Sequence, residues 1–166
     1  MFVISDLHLG HKNIIKYCNR PFDNVEDMNK TILKMFDKLP KGSTILNLGD
    51  IALGNIKMLP NYIERMKSNN KKLILVKGNH DKLEEEAYYK LGFDKVYSEP
   101  VYLKYCTLSH EPIENADRLN FHGHTHDKEP QDFNSVYNNN KFYVNCCLDY
   151  RKTFLEIADD ILEGVL

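Results

Sequence analysis

The sequence predicts an α/β fold in which parallel strands alternate with helices. Three apolar runs with β-branched character, at residues 2–5, 44–48 and 73–76, are separated by amphipathic stretches near residues 25–38 and 56–68. This strand–helix–strand–helix–strand order implies parallel pairing through right-handed crossovers. Several further strand-like runs follow with few helical stretches between them. The second half therefore indicates a mixed sheet or two packed sheets covered by helices.

The other elements have local support of their own. The helix near residues 25–38 begins after Asp23 and Asn24, which can cap its free backbone N–H groups. Gly10 permits a turn from the first strand into a short helix at about residues 12–17. The remaining expected elements are helices at residues 84–91 and near 158–163, and strands at residues 106–109, 119–121, 142–145 and 154–157.

Length and composition predict a single domain spanning residues 1–166. The chain is 42% hydrophobic and has no low-complexity linker, so it can bury one core. An Asn-rich run at residues 138–140 is expected to form an exposed hairpin loop. The four cysteines lack zinc-site spacing and are expected to be thiols in a reducing compartment.

Charge and the amino terminus limit the classes of partner. The 22 basic and 24 acidic residues are well mixed and give a net charge of −2, so no broad nucleic-acid-binding surface is expected. Met1 is followed at once by Phe2, Val3 and Ile4, which leaves no space for a signal peptide. No apolar run approaches the roughly 18–20 residues that cross a bilayer. We therefore expect a cytoplasmic protein with no membrane association.

Five short segments, each following a strand-like run, contain five of the seven histidines together with Asp and Asn residues. Two of them are the most specific, because Gly78 permits a tight turn at a strand end and Gly123 permits a close approach of backbone. Taken singly, the alternatives are an Asp that caps a turn and a surface cluster of histidines. The segments are Asp6-Leu7-His8, Gly49-Asp50, Gly78-Asn79-His80-Asp81, Ser109-His110 and Gly123-His124-Thr125-His126.

These residue types suit an open site for two divalent cations. Two cations about 3.5–4 Å apart can activate water and neutralise a phosphate ester during attack. Imidazole and carboxylate together favour Mn, Fe, Zn or Co, whereas calcium sites use oxygen alone. No cysteine lies in the five segments, which argues against a closed structural zinc site. Asp6 and His8 alternate, so both are expected on one side of an extended strand end.

In full and in order, the segments resemble the D-x-H, G-D, G-N-H-D/E, lone H and G-H-x-H pattern of calcineurin-like metallophosphoesterases. The resemblance covers about residues 2–157 and implies a four-layer α/β/β/α sandwich with two mixed sheets. It implies that His80 protonates the leaving group and that Asp81 orients the His80 imidazole. It also implies one cation on Asp6, His8, Asp50 and His126, and another on Asp50, Asn79, His110 and His124.

We predict a two-metal phosphodiesterase acting on a small phosphodiester, such as a nucleotide, a cyclic nucleotide or a short nucleic-acid end. Manganese is favoured among the candidate cations, and the sequence indicates no oligomeric state. The alternatives are a phosphomonoesterase acting on nucleotides or phosphoproteins, and a noncatalytic scaffold that retains the fold. Scaffold members typically lose metal ligands, and this chain retains all of them.

The segment after His8 adds two candidate substrate-binding residues, His11 and Arg20. It resembles a subgroup of small bacterial and phage metallophosphoesterases in the runs at residues 8–11 and 19–22. His11 could hydrogen-bond a phosphate, and the Arg20 guanidinium could hold phosphate oxygens in a fork, its loop stiffened by Pro21. The alternatives are that His11 caps the following helix and Arg20 pairs with a surface acid.

Overall fold

The computed structural model describes residues 1–54, 56–128 and 142–165, which form two β-sheets and five α-helices. The strands are β1 (Phe2–Ile4), β2 (Thr44–Asn47), β3 (Lys72–Val76), β4 (Lys95–Tyr97), β5 (Val101–Tyr102), β6 (Cys106–Ser109), β7 (Leu119–His122), β8 (Tyr143–Asn145) and β9 (Leu155–Glu156). The helices are α1 (Ile14–Tyr17), α2 (Val25–Asp37), α3 (Leu59–Met66), α4 (Glu85–Leu91) and α5 (Leu148–Arg151), with a 3-10 turn at Ile56–Met58 before α3.

Both sheets are mixed. The first sheet has the strand order β4-β3-β2-β1-β9, in which β1 to β4 pair in parallel and β9 pairs antiparallel with β1. The second sheet has the order β5-β6-β7-β8, in which only the β5–β6 pair is antiparallel. The expected α/β fold with two mixed sheets is therefore confirmed, and the structure decides for two packed sheets over one.

Alternation along the first sheet separates two hydrophobic cores. In β2, Ile45 packs with the helices, whereas Leu46 packs between the two sheets. In β3, Leu73 and Leu75 likewise face the helices, and Ile74 faces the second sheet. Because both faces of these strands are buried, their sequences are continuously apolar. All five helices contribute buried side chains to the first core, so three layers, α/β/β, are visible in the described residues.

Local signals position most of the predicted elements correctly. Asn24 caps α2, since its side-chain oxygen accepts a hydrogen bond of 2.8 Å from the backbone N–H of Asp27. The helix expected near residues 158–163 is wrong: the segment forms successive turns with hydrogen bonds between residues three apart. Leu162 and Val165 of this segment pack into the core between the sheets. The burial of these side chains therefore outweighs the helix propensity of the segment.

The carboxyl end of β1 lies between the sheets. Beyond Ile4, Ser5 pairs in parallel with Cys147 after β8, so the end of β1 joins the second sheet as well. The backbone N–H of Asp6 donates to Gly49 O at 3.0 Å, which ties the end of β1 to the loop after β2. Each helix formed by the described residues is too short or too polar to serve as a membrane span. The loop expected at residues 138–140 lies outside the described residues.

Candidate metal centre

The five predicted segments meet at one edge of the fold. Each begins within a few residues of the carboxyl end of a strand, namely β1, β2 and β3 of the first sheet and β6 and β7 of the second. The carboxyl ends of parallel strands meet at the same edge, which is the usual position of ligands in open α/β sheets. All seven residues predicted to bind metal come together there.

A first cluster of candidate ligand atoms surrounds Asp6. Its Oδ1 lies 3.7 Å from His8 Nε2 and 3.8 Å from His126 Nε2. His8 Nε2 in turn lies 3.6 Å from Asp50 Oδ2. Asp6 Oδ2 faces away from this group, because it accepts hydrogen bonds from the backbone N–H of His124 and the thiol of Cys147. One oxygen of Asp6 is thus fixed by the protein and the other faces the cluster.

A second cluster shares Asp50 with the first. Asp50 Oδ2 lies 3.5 Å from His110 Nε2, which is 2.9 Å from Asn79 Oδ1. His124 Nδ1 completes the group, 3.2 Å from Asn79 Oδ1 and 3.3 Å from His110 Nε2. Asp50 is held by its other oxygen, which accepts a 2.9 Å hydrogen bond from the backbone N–H of His80. A single carboxylate oxygen therefore stands between the two clusters.

The chemistry of these atoms fits divalent cations. Asp6 Oδ1 and His8 Nε2 are fully buried and have no hydrogen-bond partner among the described residues, a costly arrangement that a cation between them would relieve. Ligand atoms on one cation are about 3–3.6 Å apart, given bonds of about 2.0–2.2 Å. The distances in the first cluster are close to this range. Asp6, His8 and His126 therefore could hold one cation, and Asp50 and His110, which group with Asp6, could hold another. Asn79 and His124 lie beside His110 and could complete the second set.

Neighbouring charges shift the pKa values of several candidate ligands. Burial alone would lower the pKa of His110, but the neighbouring carboxylates of Asp50 and Asp6 raise it to about 9. For His126, burial again acts downward, and its contact with Asp149 raises the pKa to about 10. Burial acts to raise the pKa of Asp6, yet the surrounding imidazoles lower it well below the usual range. Cation binding would therefore release protons from these histidines.

Five of the seven candidate ligands have left-handed backbone conformations. The φ angles are 58° at Asp6, 50° at His8, 56° at Asp50, 68° at His124 and 52° at His126. The expectation that Asp6 and His8 alternate along an extended strand end is therefore wrong, although both reach the same site. Non-glycine residues adopt this region rarely and at an energetic cost. The backbone at these five residues is therefore not a regular extended strand, and it brings their side chains to one site over short lengths of chain.

Two glycines allow the loops to approach each other. A Cβ atom at Gly78 would collide with Asp50 Oδ1, and one at Gly123 would collide with Ser5 Oγ. Gly123 would also place its Cβ 2.6 Å from Asp6 Oδ2. Both glycines lie directly beside a candidate ligand in the sequence, so the glycines of the predicted motifs have a steric reason.

Asp81 does not orient the His80 imidazole, and that prediction is wrong. The Asp81 carboxylate is buried and accepts backbone N–H groups of Asp50 at 2.7 Å, Gly78 at 2.9 Å and Ile51 at 3.3 Å. These bonds tie the loop after β3 to the loop after β2. Asp81 therefore positions the Asp50 loop rather than the imidazole of its neighbour.

Arg20 does not face the substrate side, which corrects its prediction as a phosphate-binding residue. The side chain is buried and forms a fork with Asp149, with Nε–Oδ1 2.7 Å and Nη2–Oδ2 2.8 Å. The guanidinium also donates to the carbonyl oxygens of Asp6 at 2.7 Å and Leu7 at 2.8 Å. With all these bonds made inside the protein, Arg20 supports the loop that carries Asp6.

Asp149 adjoins the first cluster although no sequence motif indicated it. Its Oδ2 accepts a 2.7 Å hydrogen bond from His126 Nδ1, which leaves Nε2 of the same ring facing Asp6. A carboxylate behind a metal-binding histidine commonly fixes its tautomer and ring orientation. Burial would raise the pKa of Asp149, but His126 and Arg20 lower it to about 2. The available signal was weak: an Asp shortly after an apolar run, outside any short motif.

The remaining predicted residues border the two clusters. His80 Nε2 lies 3.9 Å from Asp50 Oδ2, and the His80 side chain is 37% exposed, so its ring is open to a ligand. The His11 ring lies 5.5 Å from the His8 ring, and its backbone carbonyl accepts from Ile14 at the start of α1. His122 points elsewhere: it is fully buried, and its Nδ1 contacts Gly123 O at 2.9 Å.

Fold and site together define an α/β protein with a candidate metal centre at the carboxyl ends of its strands. The model of the calcineurin-like phosphoesterase family matches residues 1–159, so the chain belongs to this family. The resemblance seen in the five segments is thereby confirmed. Members of the family act on phosphoesters with divalent metals.

Curated relatives and solved structures agree with this placement. An uncharacterised protein of Methanocaldococcus jannaschii is 42% identical over 87 residues, which is 52% of this chain and 49% of that protein. The gene 66 protein of Mycobacterium phage L5 is 35% identical over 78 residues, 46% of this chain and 37% of that protein. The matches thus span half or less of the length of these curated relatives.

Two crystal structures share the fold. A protein of unknown function from Aquifex aeolicus superposes with a TM-score of 0.70 at 23% identity and covers 100% of this chain and 98% of its own. The nuclease MPE of Pseudomonas putida gives a TM-score of 0.52 at 22% identity and covers 75% of this chain and 60% of its own. At these identities the likeness concerns the fold alone.

Proposed function

We propose that this protein is a two-metal phosphoesterase that hydrolyses a small phosphodiester. One observation carries the proposal: Asp50 Oδ2 lies 3.6 Å from His8 Nε2 and 3.5 Å from His110 Nε2, so one oxygen adjoins both ligand clusters. A carboxylate suits this position because its negative charge offsets the repulsion between two cations. The mixed imidazole, carboxylate and amide donors favour manganese, iron, zinc or cobalt, of which we favour manganese.

The protein supplies binding and proton transfer around this centre. Two divalent cations, when bound, would activate water and neutralise the charge of the phosphate. His80 would donate a proton to the leaving-group oxygen, since its half-buried ring is open beside Asp50. His11 borders the same edge and would hydrogen-bond a phosphate oxygen. Asp81 keeps the Asp50 loop in place by its hydrogen bonds to the backbone N–H groups of Asp50 and Ile51.

A diester substrate is favoured over a monoester because of His80. A proton donor helps most when the leaving group is a poor alkoxide, as in an unactivated diester. The nuclease MPE of Pseudomonas putida, whose fold is similar, is named for action on a phosphodiester polymer. A nucleotide, a cyclic nucleotide or a short nucleic-acid end would suit a site whose positive charge comes mainly from bound cations.

The test combines metal analysis with turnover. The purified protein, loaded with manganese, should hold two ions per chain and hydrolyse bis(4-nitrophenyl) phosphate. Asp50→Asn should lose both ions and the activity, because it removes the charge shared by the two clusters. His8→Asn should mainly weaken one ion, since His8 Nε2 adjoins only the first cluster. Elemental analysis and isothermal titration would measure both effects.

Glu64→Asn, which changes an exposed acid on α3, serves as the control and should leave metal content and turnover unchanged. Two tightly bound ions and normal turnover in Asp50→Asn would exclude the shared carboxylate. Absence of turnover by fully metallated wild-type protein on this and other phosphoesters would favour a noncatalytic scaffold.

A further inference from the structure

A cavity of about 460 Å³ opens directly beside the second ligand cluster. Gly78, Asn79 and His110 form the wall that faces the cluster, and the loop between β4 and β5 and the loop after β6 form the other walls. Its volume lies within the roughly 300–1,000 Å³ of small-molecule sites. A substrate phosphate held at the clusters would therefore have one of its organic groups at the entrance of this cavity.

The walls of this cavity combine acidic and apolar groups. Glu99, Glu111 and Glu114 line it, together with the cationic side chain of Lys77 and the imidazole of His110. The Lys77 ammonium lies over the Tyr88 ring, 5.9 Å from its centroid, so it has an attractive cation–π contact within the protein.

The negative charge of these walls reaches the ligand cluster. Glu111 directly follows the candidate ligand His110 in the chain, and both residues line the cavity, so one of the acidic residues of the wall adjoins the second cluster. Pro100, Pro112 and Ile113 supply apolar surface between the carboxylates. The cavity is thus unlike an anion site, although it adjoins the position of a phosphate.

We propose that this cavity is a subsite for an uncharged organic group of the substrate that carries hydroxyl or amino donors, such as a nucleoside. The proposal rests on the proposed function, because it places the scissile phosphate at the two clusters. Carboxylates accept hydrogen bonds from hydroxyl and amino groups. The proline and isoleucine surfaces would pack against a sugar or base.

A further phosphate in this cavity is disfavoured by the same walls. Like charges brought together in a recognition site cost several-fold to many-fold in affinity and select against the wrong ligand. The substrate is therefore a compact diester with a neutral group on this side. A longer nucleic acid would have to direct its next phosphate away from the three glutamates.

The experiment compares two substrates that differ by one phosphate. The first is the 4-nitrophenyl ester of thymidine 5′-phosphate, and the second is the same compound with a 3′-phosphate added. The variant carries Glu99→Gln, Glu111→Gln and Glu114→Gln, which remove the charge and keep the shape. The matched control carries Glu26→Gln, Glu64→Gln and Glu156→Gln, three exposed acids elsewhere.

Wild-type and control proteins should prefer the substrate without the 3′-phosphate by about tenfold or more in kcat/KM, from like-charge repulsion. The cavity variant should reduce this preference to about threefold or less. As a readout independent of cations, thymidine added to metal-free wild-type protein should shift the amide NMR signals of Ser98, Glu111 and Ile113. Equal preferences in the cavity variant and the control, or no shift of these signals, would overturn the subsite.

A separate measurement tests the proposed phosphoesterase activity independently of the subsite. Wild-type and control proteins should hydrolyse bis(4-nitrophenyl) phosphate at nearly equal rates, because Glu26, Glu64 and Glu156 lie outside both the clusters and the cavity. Loss of this turnover in wild-type protein would reject the activity, whereas the NMR titration with thymidine would still decide the subsite.

Discussion

At the scale of residues, the seven histidines differ in the contacts of their ring nitrogens. His110 Nδ1 donates to Leu48 O at 2.8 Å, which leaves Nε2 for the second cluster. His122 lies two residues from His124 but is fully buried, and burial lowers its pKa to about 4 despite a contact with Gly123 O. It is therefore a neutral packing residue. The presence of a histidine in the sequence does not distinguish a candidate ligand from a packing residue, whereas its burial and hydrogen-bond partners do.

The His80 proton-donor role predicts a specific kinetic result. His80→Asn should depress hydrolysis of an unactivated dialkyl phosphate diester by about 10²–10⁴-fold, the usual scale for general acid catalysis. Metal content should persist, since Nε2 of His80 lies outside both clusters, 3.9 Å from Asp50. A 4-nitrophenyl ester leaves without much protonation, so its hydrolysis should fall much less. Steady-state kinetics on the two esters would measure the difference.

His122→Asn would be a poor comparison, because that ring is buried, so Tyr102→Phe, an exposed change on β5, is the better control. It should alter neither rate. Equal losses on the activated and unactivated esters in His80→Asn would count against proton donation and favour a role in binding.

Sequence could identify the residues in short motifs and could not identify those with distant partners. Asp6, Asp50 and His110 each follow an apolar run that is visible in the sequence as a strand. The bond between Arg20 and Asp149, in contrast, joins residues 129 apart, and no local pattern predicts it. For this reason Arg20 resembled a free phosphate-binding residue until the fold placed it beside a buried acid.

At the scale of elements, strand ends and one short helix assemble the centre. The helix α5 follows β8 directly and brings Asp149 beneath the loop that carries His126. Arg20, which follows α1, joins this carboxylate to the carbonyl oxygens of Asp6 and Leu7. Two loops of the first cluster therefore depend on one buried ion pair.

Strand pairing limits what the sequence reveals at this scale. The alternation of residues within β2 and β3 predicts buried strands, but the pairing of Ser5 with Cys147 depends on the whole chain. The strands β4 and β5 are only three and two residues long and lie in no long apolar run, so the sequence did not predict them. The number of sheets could not be decided from periodicity, because that pattern is the same for one large sheet and two packed sheets.

The Asp149 network predicts a selective effect on one cation. Asp149→Asn should weaken the first cation about 10–100-fold, the usual effect of losing a carboxylate behind a metal-binding histidine. The second cation should bind normally, because His110, Asn79 and His124 make no hydrogen bond to Asp149 in the described structure. Isothermal titration with manganese would resolve the two sites, and the 15N NMR signals of His126 would report its tautomer.

Removal of one partner from a buried ion pair also destabilises the fold, by about 3–5 kcal/mol. Asp149→Glu, which retains the charge for Arg20 and His126, should therefore recover part of both stability and affinity. Asp160→Asn changes an exposed acid and controls for charge alone. Equal weakening of both cations by Asp149→Asn would indicate general unfolding of the site instead of a specific effect on His126.

At the scale of the whole molecule, the metal centre lies across the junction of the two sheets. The first cluster joins Asp6, His8 and Asp50, which follow strands of the first sheet, to His126, which follows β7 of the second. The second cluster likewise combines residues from both sheets. Bound cations would therefore connect the sheets at the edge where the buried, unpartnered atoms of Asp6 and His8 lie.

Cation removal should accordingly lower the stability of both sheets together. A ligand at 100 times its Kd stabilises the native state by about 2.7 kcal/mol, and each kcal/mol changes Tm by about 2–4 °C in a domain of this size. Manganese should thus raise Tm by roughly 5–11 °C over protein treated with a chelator, measured by circular dichroism. Asp50→Asn, which lacks the shared carboxylate, should show almost no change, whereas Glu64→Asn should respond as wild type. An equal Tm for wild type with and without manganese would show that the two sheets do not depend on cations at their junction.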